Sequence, residues 1–325
     1  MVKSFWTSAL QYVADAFFLC RPVLLVPVWV FCIFGYFSGT VIKSGFSVSA
    51  IWLAPISVYA WIFVFSLSVG AVYVLNQIND KKVDALNAGF ALLIKGKIPL
   101  WIAWLTTIIL SCLSIILPMI YIPGLVLWSC CSLVLGIVYC IRLLYFTGRP
   151  ILDFTTNAIG YGVVSFGVGW CLSGQTVDLH FIKSCVPYFF MMCAGSISST
   201  LPDFKGDKQA GKNTTAAVLG LMNAHYLSMV FLVMASVEAY SLRDWVALTC
   251  VLGSFPFYTF FALRKESKIA IETTYKGGYV VCMVVSCIIF PTIAFATLLI
   301  FALTVWYFRK RHNILYPSLL PVQHD

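Results

Sequence analysis

Two short acidic motifs hold the side chains of this sequence that are best suited to chemistry. The first is Asn76, Asp80 and Asp84, at intervals of four residues. The second pairs Asp203 with Asp207 at the same interval. Four residues advance an α-helix by about 400° and about 6 Å along its axis, so each motif presents its oxygen atoms along one side of a helix.

Carboxylates four residues apart repel each other, so a helix gains nothing from such pairs unless a cation lies between them. Mg²⁺ prefers oxygen ligands and is commonly held by one or two carboxylates together with substrate phosphates. Lysines stand beside both motifs and could neutralise phosphate charge. The alternative is a pair of ordinary acidic loops balanced by those lysines. Because the pattern occurs twice, at equivalent helix ends, we favour a magnesium-diphosphate site.

The composition places these motifs in a membrane protein. Of 325 residues, 61% are hydrophobic and 10% are charged, with a mean hydropathy of +0.94. A soluble domain is nearer half apolar and a quarter charged, so a soluble protein, disorder and nucleic-acid binding are excluded. The net charge of +9 fits loop topology and anionic lipid headgroups. The twelve cysteines form no CxxC pair and are interpreted as small buried hydrophobic residues.

Apolar runs predict an all-α, polytopic membrane protein of about nine transmembrane helices around a central cavity. A spanning helix needs about 20 mostly apolar residues. We expect one domain over residues 1–325, with a short basic tail at about 309–325 and a retained first span rather than a signal peptide. The predicted spans are 17–39, 48–75, 100–119, 123–146, 152–172, 180–200, 216–239, 245–263 and 276–304.

The distribution of Lys and Arg predicts the orientation. With nine crossings, 15 of the 21 lie on the side where both motifs open, and 6 lie on the opposite side. The positive-inside rule then makes the mouth of the site cytoplasmic. The basic tail, Arg309, Lys310 and Arg311, is the exception to this pattern, and an eighth or tenth crossing would remove it.

The motifs in this order resemble those of the UbiA-type intramembrane prenyltransferases. Further family-like residues fall in register: Arg21-Pro22, Asn87, Gly96, Tyr139, Gly148-Arg149-Pro150, Asp153, Asn157, Gly211 and Thr214. Three stretches depart from the family pattern. They are the loop Tyr139 to Thr147, where the usual Pro pair with Arg and Lys is absent, Ser199-Thr200 before the second motif, and Lys95 to Pro99 in place of an Arg-Pro pair.

The resemblance implies transfer of an isoprenyl group from a polyprenyl diphosphate to a lipophilic, ring-bearing acceptor, with Mg²⁺ as cofactor. Asp80, Asp203 and Tyr139 would be catalytic, and both motifs would hold the metal. Arg21, Arg149, Lys208 and Lys212 would bind diphosphate, although positive-inside residues look the same. Asp153 and Asn157 would face the acceptor or the cavity. An intramembrane terpene cyclase and an ion-coupled transporter remain as alternatives.

Overall fold

The computed structural model describes residues 2–44, 54–86, 91–94, 96–264, 267–314 and 316–317. Within these ranges every regular element is helical, which confirms the all-α prediction. The α-helices are α1 (Val2–Leu19), α2 (Val26–Ser44), α3 (Ile56–Asn79), α4 (Lys81–Leu86), α5 (Ala91–Ile94), α6 (Leu100–Tyr121), α7 (Val126–Cys140), α8 (Leu152–Ala158), α9 (Phe166–Leu172), α10 (Leu179–Thr200), α11 (Phe204–Gln209), α12 (Thr215–Leu219), α13 (Leu221–Ser241), α14 (Trp245–Leu263), α15 (Lys268–Ile289) and α16 (Pro291–Tyr307).

Eight helical segments of the described chain are long and apolar enough to cross a bilayer, so the protein is a multi-pass membrane protein. The first of them starts at Pro22, five residues later than the sequence suggested. Arg21 has a left-handed backbone (φ 51°, ψ 59°), and Pro22 has no N–H to extend the preceding helix. Helix α1 is therefore a separate element, whose apolar part, Leu10–Leu19, is too short to span.

The predicted fifth span forms one helical stretch that is locally widened. A π-helical segment, Ile159–Ser165, joins α8 to α9, and the Ser165 hydroxyl donates to the Gly160 carbonyl at 2.9 Å. Helix α9 packs against α2 through small residues. A Cβ on Gly169 would lie 1.7 Å from the Cys32 carbonyl oxygen, so the two backbones touch in a way that only glycine permits.

The predicted last span, 276–304, divides into two helices at Phe290. Pro291 restricts the residue before it to extended backbone, and Phe290 has φ −130° and ψ 87°, so α15 ends and α16 begins there. Helix α16 runs back to the end of the bundle that carries both motifs, where Tyr307 meets Asp15 of α1. Arg309, Lys310 and Arg311 of the basic tail therefore lie on the side of the motifs, because the chain turns once more at Phe290 than the sequence count assumed.

Two apolar clusters organise the bundle. The larger one joins α2, α3, α7 to α10 and α13 to α15, and it surrounds a narrow cavity of about 20 Å³. That cavity is lined by aromatic, sulfur-containing and small side chains, among them Phe31, Met191, Tyr258, Tyr275, Tyr279 and Cys282. The smaller cluster lies at the motif end and joins α1, α5, the start of α6 and the end of α16.

Candidate active site

The first motif straddles the junction of α3 and α4. Asp80 ends α3, and its N–H donates to the Asn76 carbonyl at 2.8 Å, while the Asp84 N–H donates to the Asp80 carbonyl at 2.8 Å. Helical hydrogen bonding thus continues across the junction and keeps the three side chains in register. Asp80 is only 2% exposed, and the Asn76 amide donates to its Oδ2 at 3.2 Å.

The second motif is built by a short helix and its C-terminal turn. Asp203 precedes α11, and Asp207 is buried within it. Gly211 follows the helix with φ 72° and donates its N–H to Lys208 O, while the Lys212 N–H donates to Asp207 O at 2.8 Å. This pair of bonds is a Schellman motif, which needs a residue tolerant of left-handed backbone at Gly211. The turn carries Lys212 back toward the carboxylates.

The two motifs meet through Lys212. Its ammonium lies 3.3 Å from Asp80 Oδ2, although the residues are 132 positions apart. Burial alone would lower the pKa of Lys212, but the carboxylate of Asp80 leaves that pKa above its ordinary value, so the lysine is charged. Burial raises the pKa of Asp84, with Arg21 opposing the shift and Asp80 and Asp207 adding to it. Both motifs therefore face one shared electrostatic site.

Tyr145 is a site residue that the sequence reasoning missed. Its hydroxyl donates to Asp80 Oδ1 at 3.0 Å, which completes the set of donors around that carboxylate. Gly148 leaves room for the ring, because a Cβ there would lie 2.5 Å from Tyr145 Cε1 and 3.5 Å from Lys212 Cγ. The available signal was a tyrosine three residues before a glycine in a loop on the motif side.

Of the three polar residues predicted between the fourth and fifth spans, Tyr139 and Asn157 contact each other near the site, and Asp153 has structural contacts. The Asn157 amide donates to the Tyr139 hydroxyl at 3.3 Å, and Tyr139 interacts electrostatically with Lys212. Asp153 is buried and accepts from the Thr215 N–H at 2.7 Å and the Thr215 hydroxyl at 2.6 Å. Asp153 thus fastens α8 to the start of α12, just after the second motif.

Of the four predicted diphosphate-binding residues, two interact with the acidic motifs and two are exposed. Lys212 and Arg21 both interact with motif carboxylates. Lys208 and Arg149 are exposed, and within the part of the chain that the structure describes neither forms an ion pair. Asn87 and Lys95 lie outside the described residues.

Helix α15 adds a third wall that the sequence reasoning did not include. Glu272 pairs with Lys276 at 2.7 Å and interacts electrostatically with Asp203. Tyr275 interacts with both Glu272 and Asp203 and also lines the apolar cavity. Tyr275 therefore stands where the acidic site meets the cavity. An acidic residue at the motif-side start of a span was the available signal.

The donor chemistry of the motifs fits a hard divalent cation. Four carboxylates and one amide oxygen are the ligands that Mg²⁺ accepts. Among the described residues, no three His, Cys, Asp or Glu side chains are grouped closely enough to hold a metal ion by themselves. Any Mg²⁺ held by these side chains would therefore need further oxygen ligands from water or from substrate phosphates, as Mg²⁺ commonly does in proteins.

The fold and the site define a class of protein: a polytopic, all-helical membrane protein with an acidic site at one end of the bundle and an aromatic cavity behind it. The sequence pattern of the UbiA prenyltransferase family matches residues 28–275, and the chain belongs to that family. The resemblance drawn from the motifs is thereby confirmed.

Relatives and solved structures agree with this assignment. A 2-acylphloroglucinol 4-prenyltransferase of Humulus lupulus is 26% identical over 204 residues, covering 57% of this chain and 49% of that protein. A probable homogentisate phytyltransferase 2, chloroplastic, of Oryza sativa subsp. japonica is 26% identical over 179 residues, covering 52% and 47%. The matches thus span about half the length of these curated relatives.

A UbiA homolog from Archaeoglobus fulgidus bound to DMAPP and Mg²⁺ has a TM-score of 0.66 at 17% identity, over 87% of this chain and 98% of that one. The same homolog bound to GPP and Mg²⁺ has a TM-score of 0.64 at 18% identity, over the same shares of the two chains. At these identities the structural match establishes the fold.

Proposed function

We propose that this protein is a Mg²⁺-dependent intramembrane prenyltransferase, which moves an isoprenyl group from a polyprenyl diphosphate to a lipophilic, ring-bearing acceptor. The observation that carries the proposal is the Lys212–Asp80 ion pair, which joins the two acidic motifs at one buried mouth. Family membership and the prenyl-transfer names of the relatives support the same conclusion.

The side chains divide the work of binding the diphosphate. Asn76, Asp80, Asp84, Asp203 and Asp207 would hold Mg²⁺ together with diphosphate oxygens, and the ion would draw electron density from the leaving group. Lys212 and Arg21 would neutralise the remaining phosphate charge. Tyr145, which donates to Asp80, would hold that carboxylate in its orientation. Mg²⁺ use is supported by the metal-bound UbiA homolog structures.

The reaction breaks the allylic C–O bond, and its electron pair leaves with the diphosphate. The allylic carbon then bonds to a nucleophilic atom of the acceptor, which loses a proton. Aromatic faces stabilise the positive charge that develops on the allylic carbon, and Tyr139 and Tyr275 lie where the charged site meets the bundle. The aromatic and sulfur-containing side chains behind them would keep water from the cation. The cavity that they line holds about one water, so the helices around it would have to separate to admit the prenyl chain.

An aromatic acceptor is supported by the names of the relatives, because acylphloroglucinol and homogentisate are ring-bearing phenols. Asn157, hydrogen-bonded to Tyr139, would be the polar residue closest to such an acceptor. In the proposed role, Asp153 would hold the wall of the site through Thr215 rather than contact the acceptor itself.

We also propose that the mouth is cytoplasmic. Because α16 ends on the motif side, Arg309, Lys310 and Arg311 join the fifteen Lys and Arg residues already assigned there, which gives eighteen of the 21. The positive-inside rule assigns such a side to the cytoplasm.

The proposal is tested with purified protein in liposomes, labelled C10 to C20 prenyl diphosphates, and a pooled lipophilic extract as acceptor. We expect Mg²⁺-dependent release of diphosphate and a product heavier than the acceptor by one prenyl group. A hydrocarbon product formed without any extract would instead indicate a cyclase. Uptake of label into the liposomes without bond breakage would indicate a transporter, and turnover undiminished by EDTA would reject the magnesium site.

A further inference from the structure

A buried carboxylate outside the matched family region joins α1 to the C-terminal segment around Tyr307 and Arg311. Asp15 of α1 is 1% exposed. It accepts a hydrogen bond from the Tyr307 hydroxyl, and the Arg311 guanidinium lies against it, with Nη2 3.2 Å from Oδ2 and Nε 3.4 Å from Oδ1. His312 Nε2 lies 2.9 Å from the Tyr307 oxygen. We call Asp15, Tyr307, Arg311 and His312 the terminal clasp.

The clasp is set in apolar packing that reaches the first motif. The Tyr307 ring stacks on Phe18 of α1 with ring centroids 3.9 Å apart. The same cluster includes Leu92 and Leu93 of α5, which follow the first motif in the chain. A buried carboxylate is costly unless it is paired, so the ion pair and hydrogen bonds of Asp15 tie α1 to the C-terminal segment.

Asp15 of the clasp lies six residues before a strained turn at Arg21. Arg21 has a left-handed backbone, which costs a residue with a side chain about 1 kcal/mol and persists only where the surroundings fix it. The turn is fixed on both sides by α3, the helix of the first motif. Gln77 Nε2 donates to Leu19 O at 2.9 Å, and the Tyr73 hydroxyl donates to Leu24 O at 2.9 Å.

Arg21 in turn interacts electrostatically with Asp84 of the first motif and with Tyr316 of the C-terminal segment. Tyr316 packs on Phe308 with ring centroids 4.9 Å apart, so the segment that the clasp holds also borders the arginine. We propose that Asp15 is a positioning residue: by fastening the C-terminal segment to α1, it holds the Arg21 guanidinium at the diphosphate end of the site. The role of Arg21 in binding diphosphate rests on the proposed function.

The test compares Asp15→Asn with wild type in liposomes, using geranyl diphosphate as the probe substrate. We expect KM for geranyl diphosphate to rise about fivefold, a coupling of the size found between groups in one network, while kcat stays within about twofold. Arg311→Gln, at an exposed partner, is the milder variant and should shift KM in the same direction. Asp244→Asn is the matched control, because Asp244 is a carboxylate that caps α14 at the opposite end, and its KM should not change.

A double-mutant cycle separates positioning from general damage to the fold. If Asp15 acts through Arg21, Asp15→Asn in an Arg21→Ala background should raise KM no further. Effects that multiply, or an unchanged KM in both Asp15→Asn and Arg311→Gln, would overturn the proposal. The dissociation constant of each protein variant for a non-hydrolysable geranyl thiodiphosphate is measured in parallel, in the presence of Mg²⁺. Absence of turnover in wild type would refute the proposed function, whereas equal binding constants in wild type and Asp15→Asn would refute the clasp alone.

Discussion

Lys212 has two roles that a single substitution separates, because it is bound to Asp80 in this structure and is proposed to bind diphosphate during turnover. In Lys212→Met the apolar stem remains and the charge is lost. A hydrogen bond to a charged group contributes about 1.5–3 kcal/mol, so KM for the prenyl diphosphate should rise about 10- to 150-fold. The Mg²⁺ concentration for half-maximal activity should fall, because the lysine no longer competes with the cation for Asp80.

The same substitution leaves Asp80 without its counter-charge. Breaking a fully buried pair costs about 3–5 kcal/mol, but the Lys212 side chain is 13% exposed and the Tyr145 and Asn76 donors remain. We therefore expect a loss of about 1–3 kcal/mol in stability, with folded protein still obtained. Initial rates over a grid of Mg²⁺ and geranyl diphosphate concentrations measure both effects, with Lys183→Met at the opposite end as control. An unchanged KM, or a higher Mg²⁺ requirement, would refute this reasoning.

Three further predictions follow from the same geometry. Tyr139→Phe removes the hydroxyl that Asn157 contacts but keeps the aromatic face, so kcat should fall about tenfold or less, whereas Tyr139→Leu should cost about 10²-fold; equal rates in the two variants would contradict a role for the ring. Thr215→Val leaves the buried Asp153 carboxylate short of one donor and should lower the unfolding free energy by about 1–3 kcal/mol in denaturant titrations, while Thr249→Val, at an exposed position of α14, should be near neutral. Gly211→Ala places a side chain at φ 72°, which should lower the unfolding free energy by about 1 kcal/mol and raise KM by displacing Lys212. Gly160→Ala, with open space around its Cβ, is the control and should leave KM unchanged.

The sequence could predict the elements whose signals are local. Apolar runs predicted the all-helical, membrane-spanning class, and four-residue spacing placed Asn76, Asp80 and Asp84 on one side of a helix. Helix ends set by backbone geometry were harder to predict. Arg21 adopts a left-handed turn that hydropathy does not encode, and Phe290 breaks a run of apolar residues only because Pro291 follows it.

The contacts that make the site depend on tertiary packing, which no spacing rule contains. Tyr145 reaches Asp80 across 65 positions, and Glu272 reaches the second motif from the next-to-last helix. The side of the basic tail was left open for the same reason: a count of nine crossings puts it opposite the motifs, and the extra turn at Phe290 puts Arg309, Lys310 and Arg311 on the motif side. Lys208 and Arg149 are exposed and form no ion pair among the described residues, so their role in binding diphosphate stays a prediction.

The most direct test of the central claim, that both motifs act on one magnesium-bound diphosphate, is a double-mutant cycle with Asp80→Ala and Asp203→Ala. Each single variant should lower Mg²⁺-dependent geranyl diphosphate turnover by about 10²- to 10³-fold. Because residues that act as a unit are not additive, the double variant should be little worse than the poorer single one. If the two losses multiplied, or if either single variant turned over at the wild-type rate, the two motifs would not share a substrate.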